Sequence, residues 1–191
     1  MIWHLMRHGE INSNINGTYA GWNDEGLTPN GKQQVKDASK ELANRKIDAI
    51  FCSPQKRAVQ TAEILSDALG VKYITRDSFR ELKLGRWEGK SEELIRKLYV
   101  NEWDIWNTRP AELIVEGRET LGELMDRVLR GIREVKGAFR FVCPLIVTHV
   151  SVVRALILYS KKMDLNLYRT ILVPNAKLFE VPDMLLEGRT L

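Results

Sequence analysis

Short, nearly continuous apolar runs alternate with longer segments in which apolar residues return every three or four positions, and this alternation predicts most of the fold. Ile2-Trp3-His4-Leu5-Met6, Ile47 to Cys52, Val71 to Thr75 and Leu145 to Thr148 have the length and composition of buried strands. Val35, Ala38 and Leu42 place one apolar face on a helix that Thr28 caps and Pro29 begins. Ser53-Pro54 repeats that signal ahead of Ala58, Ala62, Leu65 and Leu69, and Gly70 stops the helix. A third helical pattern starts at Ser91, carries Leu94 and Leu98 into Trp103 and Trp106, and ends by Pro110. Thr120 and Glu123 form a capping box for a fourth, which sets Leu121, Leu124, Val128, Ile132 and Val135 on one side as far as Gly137. A fifth, with Val152, Val153, Leu156 and Ile157, follows His149, and Lys177 to Val181 alternates like a final edge strand. Tyr19 to Gly26 is polar and punctuated by glycine, hence a loop.

Strands separated by helices predict an α/β fold, a three-layer α/β/α sandwich with a mostly parallel central sheet and helices on both faces. The 191 residues suffice for one domain over 1–191, with residues about 79–120 forming a small helical lid. Trp103 and Trp106 in that lid are expected to pack.

Composition narrows the function classes. With 44% hydrophobic and 28% charged residues, the chain is not of the disordered class. The apolar stretch Val150 to Tyr159 is broken by Arg154 and falls short of the roughly 20 residues of a membrane span. The first strand runs straight into Arg7 and His8 without the pattern of a signal peptide, so the expected location is cytoplasmic, with no membrane partner. The net charge of +4 comes from 29 basic residues interleaved with 25 acidic ones, and no basic run exceeds Lys161-Lys162. That distribution argues against a nucleic-acid partner and suits the attraction of a small phosphorylated molecule. Cys52 and Cys143 lie in apolar runs without CxxC spacing and are expected to be buried free thiols; nothing supports a disulfide between them. A homodimer is the oligomer left open beside a monomer.

The candidate chemistry sits at strand ends. Arg7, His8 and Gly9 follow the first strand, Ser53 and Arg57 the second, and His149 follows Leu145 to Thr148. Glu81 comes after the Val71 to Thr75 run. Ligands of parallel sheets bind beyond the carboxyl ends of the strands, so this packing gathers these residues at one edge. Arginine offers a planar, permanently charged fork for phosphate or carboxylate, and histidine a neutral nucleophile near neutral pH. Arg57 in the first turn of its helix adds free amides and the helix dipole. His4, the third of three histidines, lies inside a strand and reads as structural.

Arg7-His8-Gly9-Glu10, Asn14, Leu27-Thr28-Pro29-Asn30-Gly31, Ser53-Pro54-Gln55-Lys56-Arg57-Ala58 with Gln60-Thr61-Ala62, Glu81-Leu82, and Thr148-His149 with Arg154-Ala155-Leu156 resemble the histidine phosphatase superfamily, also called phosphoglycerate mutase-like. The resemblance covers residues 7 to 156 in order. It implies a phosphohistidine mechanism with His8 as nucleophile, Arg7, Arg57 and His149 binding the phosphoryl group, Asn14 assisting, Glu81 as proton donor, and backbone around Ala20-Gly21 touching substrate. It implies no cofactor and no metal. The segment Phe79 to Gly89 is more similar to the phosphatase branch, which includes α-ribazole and broad-specificity phosphatases, than to the mutases, and the insertion and tail of the mutases are not evident. The resemblance therefore implies a phosphomonoesterase acting on a small phosphate ester. A mutase is the alternative, and a non-catalytic phosphate-binding domain the third reading, one that would have no use for a proton donor. Two positions depart from the family. Val150 follows the second histidine where glycine is usual, which bears on a backbone contact that a positive φ would favour, and Thr120 replaces a frequent serine.

Overall fold

The computed structural model describes residues 1–183. Strands β1 (Ile2–Arg7), β2 (Ala49–Cys52), β3 (Tyr73–Thr75), β4 (Pro144–Thr148) and β5 (Leu178–Pro182) form one sheet in the order β3-β2-β4-β1-β5. β3, β2, β4 and β1 run parallel, and β5 closes the edge antiparallel to β1. The register sets Arg7 opposite Thr148 and Cys52 opposite Thr75, so the strands carrying the candidate site end at one edge.

Successive strand residues point to opposite faces, and here each face is covered by helices. Leu5, Phe51 and Ile146 enter one core, beneath α6 (Leu121–Ala138) and α7 (Val150–Ser160). Met6, Ile50, Cys52, Leu145 and Val147 enter the other, beneath α2 (Pro29–Leu42) and α3 (Lys56–Leu69). Burial on both faces is why β4 reads as an unbroken apolar run. The result is the expected three-layer α/β/α arrangement. A short α1 (Asn12–Ile15) follows β1, while α4 (Glu92–Leu98) and α5 (Val100–Thr108) lie between β3 and α6. The Thr28 cap with Pro29 and the Thr120/Glu123 capping box form as expected. No helix among the described residues is long and apolar enough to cross a membrane.

Several expectations shift. β2 begins at Ala49 and β3 at Tyr73, two residues later than the apolar runs suggest. The helix expected to open at Ser53-Pro54 opens at Lys56, with Gln55 as its cap. The Ser53 hydroxyl instead meets His149 Nε2 at 2.7 Å, and the first helical bonds run from Ala58 and Val59 to the Gln55 carbonyl. The pattern from Ser91 is broken at Tyr99 (φ −132°, ψ 57°), which splits it into α4 and α5. Trp87 packs against Trp103 and Trp106 of α5, with centroid separations of 6.5 and 6.0 Å. Cys52 and Cys143 are both free; Cys52 is buried and its thiol is pushed up to about 12 by burial, but Cys143 is only half-buried.

Two glycines bring the loop after β1 against the start of α2. A Cβ on Gly31 would stand 2.2 Å from the Glu10 carbonyl oxygen, and one on Gly9 would stand 2.4 Å from the Gly31 carbonyl oxygen. The close approach at Gly9 is therefore backbone on backbone, and it fixes the residue beside His8.

Candidate active site

His8 is built from its backbone outward. Its amide donates to the Thr148 carbonyl at 2.9 Å, which continues the β1–β4 ladder by one step. Its carbonyl accepts from Asn175 Nδ2 at 3.0 Å. The ring is buried, and its Nδ1–H donates to the Gly9 carbonyl at 2.7 Å. That bond fixes the tautomer and leaves the Nε2 lone pair free. Burial, then Arg57, then Arg7 hold His8 well below the ordinary histidine value of 6.5, with the Gly9 bond opposing them. A neutral imidazole with one uncommitted lone pair is a nucleophile.

His149 caps α7 and lies with its ring centroid 5.3 Å from that of His8. Arg57 Nε donates to His149 Nδ1 at 3.3 Å, so the His149 proton sits on Nε2 and is donated to Ser53 Oγ at 2.7 Å. A second proton would have to enter on Nδ1, facing a guanidinium. Burial, followed by Arg57, His8 and Arg7, accordingly lowers His149 well below 6.5.

The two guanidiniums differ in what they have left to offer. Arg57 is 1% exposed and spends its fork on Asn23 and on the Gly21 carbonyl as well as on His149. Arg7 Nη1 donates to the Val173 carbonyl at 2.8 Å, but its buried Nε has no partner among the described residues. An unpaired buried N–H is costly, on the order of 1–3 kcal/mol, unless an incoming oxygen accepts it. Burial brings Arg7 down to about 10, with Glu81 pulling it back up, so the group stays cationic at neutral pH.

Glu81 is buried, and Leu82 N donates to its Oε1 at 2.7 Å. Its backbone is held from three sides: Glu81 N donates to Gln55 Oε1 at 2.8 Å, while Trp22 Nε1 and Arg127 Nη2 donate to its carbonyl at 2.7 and 3.4 Å. Gln55 also donates to the Gly21 carbonyl, so one side chain ties the Glu81 loop to the loop before α2. Gly21 sits at φ +53°, and its carbonyl serves Arg57, so its own part is to position that arginine while Ala20 and Gly21 line the cavity wall. Asn14 accepts from Ile11 N and from Asn175 Nδ2 through Oδ1, which leaves its amide nitrogen for a ligand.

All eight sequence-predicted residues, Arg7, His8, Asn14, Ala20, Gly21, Arg57, Glu81 and His149, thus belong to one neighbourhood. All except His149 line a cavity of about 470 Å³, and His149 lies behind it against Arg57 and Ser53. His4 lies in mid-strand and is buried against Cys143 and Glu180, which suits the structural reading. Val150 stands in the first turn of α7 and is absent from the residues at positive φ, so the backbone conformation expected to trouble a valine is not required here. Sequence reasoning missed Asn175, Glu92, Tyr19, Arg154, Tyr168 and Arg169 on the walls. Only Asn175 had a local signal, the Pro174-Asn175 turn, whose next residue, Ala176, adopts φ 53° and donates to the Arg7 carbonyl.

Residues 3–182 match the sequence model of the histidine phosphatase superfamily (branch 1). The chain belongs to that superfamily. The phosphoserine phosphatase 1 of Hydrogenobacter thermophilus is 30% identical over 162 residues, 85% of this chain and 77% of that one. The uncharacterized phosphatase PhoE of Bacillus subtilis is 32% identical over 169 residues, 88% and 82% of the two chains. Among solved structures, Bacillus stearothermophilus YhfR superposes with a TM-score of 0.87 at 27% identity, covering 94% of this chain and 89% of that one. A histidine phosphatase fold with phosphatase-named relatives supports phosphatase activity.

The two site histidines, His8 and His149, carry a stability prediction. Both have folded pKa values below the ordinary 6.5, so between those values the unfolded chain binds more protons than the folded one. Their stabilising contribution is complete above about pH 6.5 and is lost as pH falls below it. Thermal melts should show a falling Tm from about pH 6.5 to 5, a window above most carboxylate titration, and His149→Asn should make the decline shallower. A Tm flat across that window would contradict the neutral, buried state of these rings.

Proposed function

We propose that this protein is a phosphomonoesterase that hydrolyses a small phosphorylated metabolite through a phosphohistidine on His8. The observation that carries the reading is the His8 ring, locked by its Nδ1–H to the Gly9 carbonyl, with Arg7 and Arg57 close enough to depress its pKa. Nε2 attacks phosphorus in line with the departing alkoxide, and the two guanidiniums and the Asn14 amide take up charge on the equatorial oxygens, with His149 supporting Arg57 from behind and reaching the phosphoryl group only by giving up its bond to Ser53. The unpaired Arg7 Nε finds its acceptor there. Glu81 protonates the leaving alkoxide and then takes a proton from the water that attacks the phosphohistidine. Proton transfer of this kind contributes about 10²- to 10⁴-fold. Every role falls to a side chain, so chelators should leave the rate unchanged. The buried acid beside the phosphate subsite argues for catalysis over mere phosphate binding.

Hydrolysis is separated from phosphoryl transfer by product. Free phosphate released from p-nitrophenyl phosphate should far exceed interconversion of 2- and 3-phosphoglycerate, followed by enzyme-coupled assay. Efficient isomerisation with negligible phosphate release would make the chain a mutase instead.

A further inference from the structure

Beyond the phosphate subsite, the same cavity has walls of mixed charge. Glu92 at the start of α4 and Arg169 in the turn Leu165–Thr170 both line it, as do Tyr19, Trp106 and Arg154. We infer that Glu92 and Arg169, with Arg154, select a phosphate ester whose alcohol carries both an ammonium and a carboxylate, a phosphorylated α-amino acid. This assignment rests on the phosphomonoesterase reading and names the substrate class of that site.

Each group is held in place yet left with capacity. Tyr19 Oη donates to Glu92 Oε1 at 2.9 Å, which orients the carboxylate while Oε2 stays outside that bond. Burial, then Glu92, pushes the Tyr19 phenol well up, so it remains a donor at any working pH. The Arg169 guanidinium lies over Trp103 at 5.0 Å and Trp106 at 5.7 Å, and it bonds Asn107 Oδ1 through Nη1. Arg154 stacks on Tyr168 at 5.0 Å and donates Nε to the Ile171 carbonyl at 2.8 Å, which leaves its terminal nitrogens for an acceptor. Arg154 lines the cavity with Arg7 and is near enough to bear on its charge.

Glu92 and Arg169 approach each other at 3.5 Å, with side chains 55% and 27% exposed. Half-exposed pairs of this kind contribute about 0–1 kcal/mol, so a ligand bringing both opposite charges can replace the pair at little cost. The substrate ammonium would take Glu92 and its carboxylate the arginine forks, which match carboxylate geometry. A ligand with only a carboxylate would leave Glu92 facing a neutral group or another anion. That asymmetry is the basis of selection.

O-phosphoserine and 3-phosphoglycerate test it cleanly, because they share a skeleton and differ mainly in an ammonium replaced by a hydroxyl. The wild-type kcat/KM should favour phosphoserine by about 10-fold or more, the size expected of a hydrogen bond between charged groups. Glu92→Gln keeps the shape and the Tyr19 bond and should bring that ratio down by about 10- to 100-fold, chiefly through KM for phosphoserine. Arg169→Met should weaken both carboxylate esters relative to phosphoethanolamine, which lacks the carboxylate. Turnover of p-nitrophenyl phosphate with no preference for phosphoserine, or a ratio unmoved by Glu92→Gln, overturns the assignment and leaves the phosphatase reading standing. Failure to hydrolyse any of the four esters overturns the phosphatase reading, and the assignment falls with it.

Discussion

His8→Ala should abolish turnover while leaving the fold intact. In the proposed mechanism the ring supplies the neutral lone pair that attacks phosphorus, and removing a covalent nucleophile from a cooperating set costs about 10⁴-fold or more. The backbone bonds that seat residue 8, from its amide to Thr148 and to its carbonyl from Asn175, do not involve the ring. Circular dichroism and Tm of the variant should therefore stay near those of the wild type. Brief incubation of wild type with labelled ester and rapid quenching should leave acid-labile phosphate on His8, since the N–P bond breaks in acid. Label on another residue, or a variant that retains activity, would reject the nucleophile.

That this cluster was legible in the sequence has a topological cause. In a parallel sheet, strand ends far apart in the chain come to one edge, so Arg7-His8 and Thr148-His149 needed only the strands to be recognised for their meeting to follow. Capping signals with complete local chemistry, at Thr28 and at Thr120 with Glu123, also translated directly. The signal at Ser53 failed because its hydroxyl has a competitor 96 residues away, His149 Nε2, and a partner at that range leaves no trace in local pattern. The break at Tyr99 was hidden for a different reason, since neither glycine nor proline marks it in the sequence. Glu92 and Arg169 carry no local signal along the chain, and Arg154 stands out there only as a charge within an apolar run and as part of the family resemblance. Only the packing of α4, α7 and the Leu165–Thr170 turn brings them to one cavity.

Glu81→Gln should slow alkyl phosphates far more than aryl phosphates at the first chemical step. An alkoxide is a strongly basic leaving group and needs its proton as the O–P bond breaks, whereas p-nitrophenolate departs readily without one. The buried carboxyl lines the cavity with His8 and Arg7, held by Gln55, Trp22 and Arg127 through its backbone, so the amide should occupy the same place and lose only the proton. Rapid-quench measurement of phosphoenzyme formation should show alkyl-phosphate turnover down by about 10²-fold or more, within the usual span of general acid catalysis, and the aryl ester much less affected. The first step must be isolated, because loss of the same group as base would slow attack of water on the phosphohistidine for every substrate. Equal slowing of both esters at phosphorylation would mean that Glu81 serves to position Arg7 and Arg57, whose charges it supports, and that the proton comes from another group.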